Sequence, residues 1–208
     1  MKFLISDDHA IVRKGLKDLL REEYPQAEFL EAVNSQEAIS AVSANEIDVV
    51  LLDISMPGRN GMETLKQMRT MGVRSPILML SMHSEDQYAV RALKAGASGF
   101  INKESANEEL LSAVNRVLQG KRYITPAVAE KLADGVSKPE GKLLHEALSD
   151  REMQVLEQIA SGKTVSEIAE EISLSVNTVS TYRTRILEKL CLNNNAEITR
   201  YAIDNHLV

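Results

Sequence analysis

The sequence has no tryptophan, a single cysteine at Cys191, and only 4% aromatic residues. One cysteine cannot close an internal disulfide, and no cluster of ligand-spaced residues surrounds it, which excludes disulfide scaffolds and zinc-finger classes. Cys191 is expected to be a small buried residue. With few rings available, the cores must be aliphatic, and a hydrophobic content of 44% is enough to fill them. Long apolar runs are also missing. The opening run Met1 to Ser6 meets Asp7 and Asp8, too soon for a signal peptide, and no later stretch is long enough to span a membrane. The expected setting is a reducing cytoplasm with no membrane partner. An excess of positive charge is absent too: the net charge of −6 argues against polyanion binding over the whole surface, while leaving room for a local site.

Short strand-like runs alternate with amphipathic stretches from residue 1 to about 123. The strands are expected at Lys2 to Ser6, Phe29 to Val33, Val49 to Asp53, Ile77 to Ser81 and Gly99 to Ile101. Between them Val12, Leu16, Leu19 and Leu20, then Ala38, Ile39 and Val42, then Leu65 and Met68, then Val90, Leu93 and Ala97 repeat at helical spacing. Five such alternations imply an α/β doubly wound domain with a five-stranded parallel sheet, covering 1–123. Residues 124–147 carry Pro126, Gly135, Pro139 and Gly141 and read as a linker with one short helix near Ala127 to Leu132. From 148 to 208 strand signals vanish. Ser149 with Glu152 and Thr164 with Glu167 have capping-box spacing, and Ser175 is a third cap, giving a small all-α domain of four helices.

In an open parallel sheet, ligands collect at the carboxyl ends of the strands where strand order reverses. Asp7 and Asp8 end the first strand, Asp53 the third and Ser81 the fourth, and Lys103 follows the fifth. Three carboxylates together repel one another unless a cation sits among them, and hard oxygen donors suit Mg2+. With Lys103 and Ser81 nearby, such a pocket can neutralise and hold a phosphoryl group, leaving Asp53 as nucleophile. Taken singly, each Asp equally fits a turn or helix start. The scattered histidines form no metal cluster, and His9 is expected at a helix start or on the surface.

Asp7-Asp8-His9, the run Asp53-Ile54-Ser55-Met56-Pro57-Gly58-Arg59-Asn60-Gly61, Ser81, and Lys103 after Gly99-Phe100-Ile101-Asn102 resemble the receiver domain of two-component response regulators over residues 1–121. That resemblance implies a flavodoxin-like fold and phosphorylation of Asp53 by a sensor histidine kinase. It also implies Mg2+ held by Asp7, Asp8, Asp53 and the backbone carbonyl of Ser55. Two residues depart from the pattern. The family often has a switch tyrosine where Phe100 stands, so no phenol is available there. Met82 replaces a residue that is often small, and with His83 it is expected to set the lifetime of the acyl phosphate.

In the second domain, Ala160 to Ala169 followed by Leu174 to Val179 lays out a helix, a tight turn and a second helix, which fits either a helical hairpin or a helix-turn-helix. Leu148-Ser149-Asp150-Arg151-Glu152 together with Thr178-Val179-Ser180-Thr181-Tyr182-Arg183 through Ile186, Lys189 and Leu190 resembles the LuxR-type (NarL-like) output domain. On a helical wheel, Val179, Tyr182, Ile186 and Leu190 face the core. Asn177, Ser180, Thr181, Thr184, Arg185 and Glu188 face outward, with Arg183 at the rim. The expected DNA contacts are Lys163, Asn177, Thr178, Ser180, Thr181, Arg183, Thr184, Arg185 and Lys189, with Arg185 able to reach guanine. Residues 149 to 208 hold 6 Lys and Arg against 2 Asp and 7 Glu, a net of −3, which is low for a DNA-binding domain. Lysines that are common in relatives at the positions of Ser166, Ser180 and Thr184 are missing. Useful affinity for promoter DNA therefore calls for a homodimer, with phosphorylation promoting output-domain release or dimerisation; the resemblance implies pairing through Ile198, Tyr201 and Ala202, which equally fit packing against the third helix of the same domain. RNA polymerase is a further candidate partner. Two other functions fit parts of the sequence: an aspartyl-nucleophile phosphatase, disfavoured because Ser55 stands where such enzymes want a second acid, and a phospho-signalling adaptor whose helical domain binds protein.

Overall fold

Val49–Asp53 and Ile77–Ser81 are buried along their whole length, as continuous apolar runs in the middle of a parallel sheet must be. The computed structural model describes residues 1–82, 85–137, 144–205 and 207–208, which divide into two compact units, 1–137 and 138–208.

In the first unit, β1 (Lys2–Ser6), β2 (Glu28–Ala32), β3 (Val49–Asp53), β4 (Ile77–Ser81) and β5 (Gly99–Asn102) form one parallel sheet in the order β2-β1-β3-β4-β5. Its register pairs Ser6 with Leu52 and Asp53 with Leu80. Successive side chains alternate between the faces. Phe3, Ile5, Val49, Leu51, Leu78, Leu80 and Ile101 pack on one side with Leu16 and Leu20 of α1 (Ala10–Glu23) and Leu110, Val114 and Val117 of α5 (Ala106–Leu118). On the other side stand α2 (Ser35–Ala44), α3 (Gly61–Thr70) and α4 (Glu85–Lys94), whose buried Ala38, Ile39, Met62, Leu65, Met68 and Leu93 complete the core. Strand order reverses between β1 and β3, so the carboxyl ends carrying Asp7 and Asp53 lie side by side.

The expected strands lie within one residue of those observed. The linker differs: instead of a short helix near Ala127, α6 runs from Pro126 to Ser137 and packs against α4 with Val128 buried. Pro139 and Gly141 lie outside the described residues.

The second unit holds a 3-10 turn (Leu144–Ala147), α7 (Asp150–Ala160), α8 (Val165–Glu171), α9 (Val176–Leu190) and α10 (Asn195–Asp204). Ser149 and Thr164 form complete capping boxes with Glu152 and Glu167, and Ser175 caps α9 by accepting from the Thr178 amide at 3.1 Å. Helix α10 packs against α7.

Candidate functional site

The acidic pocket is assembled by chain reversal at the ends of β1, β3 and β5. Asp7 and Asp53 are buried, and Lys103 Nζ bridges them at 2.7 Å from Asp7 Oδ2 and 2.9 Å from Asp53 Oδ2. Ser81 is buried at the end of β4, and the Lys103 amide donates to its carbonyl at 2.8 Å. Burial pushes the Asp53 carboxyl up to about 6, with Lys103 pulling it down and Asp7 pushing it further up. Burial works to lower the Lys103 pKa, but Asp53 and Asp7 outweigh it and hold the ammonium above its ordinary value.

Both carboxylate oxygens of Asp53 and Asp7 Oδ2 are buried without an aligned hydrogen-bond donor. Ligand atoms of Asp7, Asp8, His9 and Asp53 all lie within 4.8 Å of one another. Two buried carboxylates whose oxygens lack an aligned donor, with the exposed Asp8 beside them, fit a hard divalent cation such as Mg2+.

Sequence reasoning missed several parts of this pocket. His9 does begin α1 and is exposed, but its amide donates to Asp7 Oδ1 at 2.8 Å, and its Nδ1 lies 2.8 Å from Asp8 Oδ1. Asn60 caps α3 by accepting from the Glu63 amide. Beside it, a Cβ on Gly61 would stand 2.0 Å from the Asp53 carbonyl oxygen and 2.9 Å from Ile54 Cα. Both obstacles are backbone, so Gly61→Ala must displace the strand end that carries Asp53. The variant is expected to lose about 3 kcal/mol in urea unfolding, at the upper end of overpacking costs, and to bind Mg2+ more weakly. Phe100 is buried on the sheet face opposite Ile101. Met82 is 61% exposed, so its thioether is not fixed in the core, and His83 lies outside the described residues.

In the second unit, Val179, Ile186 and Leu190 are buried and Tyr182 is half-buried, while Asn177, Ser180, Thr181, Thr184 and Arg185 are exposed. Asn177, Thr178, Thr181, Tyr182 and Arg185 line a shallow depression. The hydroxyls of Thr181 and Thr184 donate to carbonyls of their own helix, at 2.9 and 3.1 Å.

Several expected DNA contacts are engaged inside the unit. Lys189 departs most: its Nζ bonds Glu152 Oε2 at 2.6 Å and the Ala147 carbonyl at 3.2 Å, joining α9 to the α7 capping box. Burial would raise the Glu152 carboxyl, but the Lys189 and Ser149 hydrogen bonds overcome it and hold the group below its ordinary value. Lys163 pairs with Glu171, and Arg183 donates to Asn195 Oδ1. Arg151 is buried against Gln154, and Arg200 faces Asp204. Among the described residues of this unit, Arg185 is the one cation with neither an ion pair nor a hydrogen bond.

Two of the three residues expected at a dimer surface are corrected. Ile198 and Ala202 are fully buried, because the i, i+4 stripe they form faces α7 within the same unit. Tyr201 is held by His145, whose amide donates to the phenol oxygen at 3.3 Å and whose ring meets the Tyr201 ring edge-on. The large apolar residue that α10 does expose is Ile203, at 57%. Cys191 is also corrected: it is exposed, because it closes α9 in a left-handed conformation at φ 55°.

An acidic pocket at the switch point of a parallel sheet, with a capped helix-turn-helix further along the chain, defines a regulator that couples a receiver to a DNA-binding output. The sequence matches the response regulator receiver domain over residues 3–115 and the luxR family of bacterial regulatory proteins over residues 146–202. The chain belongs to the two-component response regulators with a LuxR-type DNA-binding domain, and is a transcription regulator. The response regulator UvrY of Escherichia coli K12 is 35% identical over 205 residues, covering 98% of this chain and 94% of that protein. The transcriptional regulatory protein UhpA of the same strain is 38% identical, covering 95% of each chain. RcsB from Salmonella enterica serovar Typhimurium, bound to promoter rprA with the phosphomimetic BeF3−, superposes with a TM-score of 0.65 at 25% identity, covering 97% of this chain and 98% of that one. Among the described residues no helix is long and apolar enough to cross a membrane.

Proposed function

We propose that phosphorylation of Asp53 by a sensor histidine kinase switches this regulator between weak and strong promoter binding in the cytoplasm. The carrying observation is the buried Asp53 carboxylate beside Asp7, with Lys103 Nζ 2.9 Å from its Oδ2 and no aligned hydrogen-bond donor on either oxygen. A carboxyl pKa near 6 leaves Asp53 mostly ionised at neutral pH, and therefore nucleophilic. One of its oxygens attacks the phosphorus of a phosphohistidine; the new O–P bond forms as the P–N bond breaks, and the imidazole leaves. Mg2+ held by Asp7, Asp8, Asp53 and the Ser55 carbonyl would neutralise charge on the transferring oxygens. Lys103 then pairs with a phosphoryl oxygen, and the Ser81 hydroxyl donates to another. Phe100 responds through packing, since it has no phenol to bond. Met82 with His83 sets the phosphate lifetime, which the autodephosphorylation rate of Met82→Ala measures.

In the output unit, Asn177, Thr178, Ser180, Thr181, Thr184 and Arg185 enter the major groove on α9, with Arg183 and Lys163 toward the phosphates. With few free cations per unit, binding at promoter half-sites calls for a phosphorylation-dependent dimer. The RcsB complex with promoter DNA in the presence of a phosphomimetic supports the promoter-binding part of this reading. The test is one preparation of the full chain, with and without beryllium trifluoride and Mg2+, scored for oligomeric state and for selection of sequences from random duplexes. Dimer formation with enrichment of one sequence family is expected. Absence of enrichment would favour a protein-binding adaptor.

A further inference from the structure

Arg13 lies on α1, six residues beyond Asp7, and its side chain is 11% exposed. Its Nη1 donates to the Asp7 carbonyl oxygen at 2.8 Å, and its Nε donates to Glu31 Oε2 at 3.0 Å. Glu31, one residue from the end of β2, also takes the Lys17 ammonium, and the two cations hold its carboxyl below the ordinary range. Asp7 itself is fixed at three atoms. Its amide donates to the Ala32 carbonyl at 3.1 Å, its Oδ1 accepts from the His9 amide at 2.8 Å, and its carbonyl is the one Arg13 holds. Its Oδ2 takes no aligned hydrogen bond and lies 2.7 Å from Lys103 Nζ, in the same pocket as Asp53.

We infer that Arg13 is a positioning residue for the divalent-cation site, locking the Asp7 main chain between α1 and β2 so that Oδ2 is presented to the ion. This rests on the proposal that the pocket binds Mg2+. The planar guanidinium suits the task because one rigid fork spans a carbonyl and a carboxylate that belong to different elements. An ammonium reaches one of them at a time. Partners behind a metal ligand characteristically change affinity by about 10–100-fold when removed, because the ligand must then be ordered by the ion itself.

The experiment is Mg2+ titration of the full chain by calorimetry, paired with thermal unfolding in EDTA. Arg13→Gln is expected to weaken Mg2+ binding about 10-fold, within the range for such partners. Glu31→Gln, which frees the guanidinium at one end, should weaken it less. Arg13→Lys should recover melting temperature in EDTA while keeping the weakened Mg2+ affinity, and Lys17→Gln should bind Mg2+ like wild type. Wild-type affinity in both Arg13 variants, with only the EDTA melting temperature lowered, would reduce Arg13 to a structural brace and overturn the inference. A wild-type chain that does not bind Mg2+, or binds it unchanged in Asp7→Ala, overturns the pocket reading and this inference with it.

Discussion

Asp53→Asn takes up no phosphoryl group from a phosphorylated kinase, and in EDTA at pH 7.5 it melts higher than wild type. The first outcome follows from losing the nucleophile. The second follows from the raised pKa of the buried carboxyl. Folded Asp53 titrates at about 6 against 3.8 for the free group, so the folded chain holds this proton to higher pH than the unfolded chain does. The contribution of Asp53 to stability is therefore fully present below pH 4 and is lost as pH rises through 6. Above that, the buried charge costs up to about 3 kcal/mol, since the folded and free values lie roughly two pH units apart and each unit is worth about 1.36 kcal/mol. Asparagine removes that cost, while Lys103 keeps Asp7 as a partner at 2.7 Å. A gain of several degrees at pH 7.5, vanishing near pH 4, is the expected calorimetric result. Mg2+ should stabilise wild type more at pH 7.5 than at pH 5, because protonation removes one carboxylate from the site. A lower melting temperature for Asp53→Asn at pH 7.5 would show that the charge is compensated within the fold, and the electrostatic account of the pocket would fall.

Arg185→Ala carries the second large effect. A bidentate arginine–guanine contact is worth about 1–3 kcal/mol, so affinity for the selected site should fall on the order of 10–100-fold. Lys189→Ala should change little in DNA affinity, because its ammonium is bound to Glu152 and the Ala147 carbonyl. The same logic makes the salt dependence shallow. With one unpaired cation on the described surface, each output unit should show a log–log salt slope of about −1 to −2, and Arg185→Ala should reduce its magnitude by about one. Titrating selected and scrambled duplexes at several salt concentrations separates the roles. An equal loss on both duplexes would make Arg185 a phosphate contact rather than a base reader.

The two domains were unevenly legible in their sequence. Strand positions came within a residue because a parallel sheet buried on both faces leaves unbroken apolar runs such as Val49 to Leu52. The wheel of α9 was equally readable, since Val179, Ile186 and Leu190 recur at helical spacing. Its partners were not. A stripe such as Ile198 and Ala202 shows that something covers it but does not say whether that is α7 or a second chain. Lys189 looked available for phosphate because its partner, Glu152, is 37 residues away. Gly61 was visible within a motif, but the reason that only glycine fits there is a backbone approach to Asp53 that no local pattern records.

By itself the sequence determined the class of sheet, the strand ends that carry Asp7, Asp53, Ser81 and Lys103, and the caps that start the output helices. All of these are local, because alternation, helical period and turn chemistry act within a few residues. Tertiary structure decided what those residues meet: the orphaned oxygens of Asp53, the Arg13 fork behind Asp7, the inward face of α10 and the one unpaired cation among the described residues of the output unit. Burial and pairing depend on which distant segment the fold brings alongside. Charge in particular becomes free or committed only when that segment arrives.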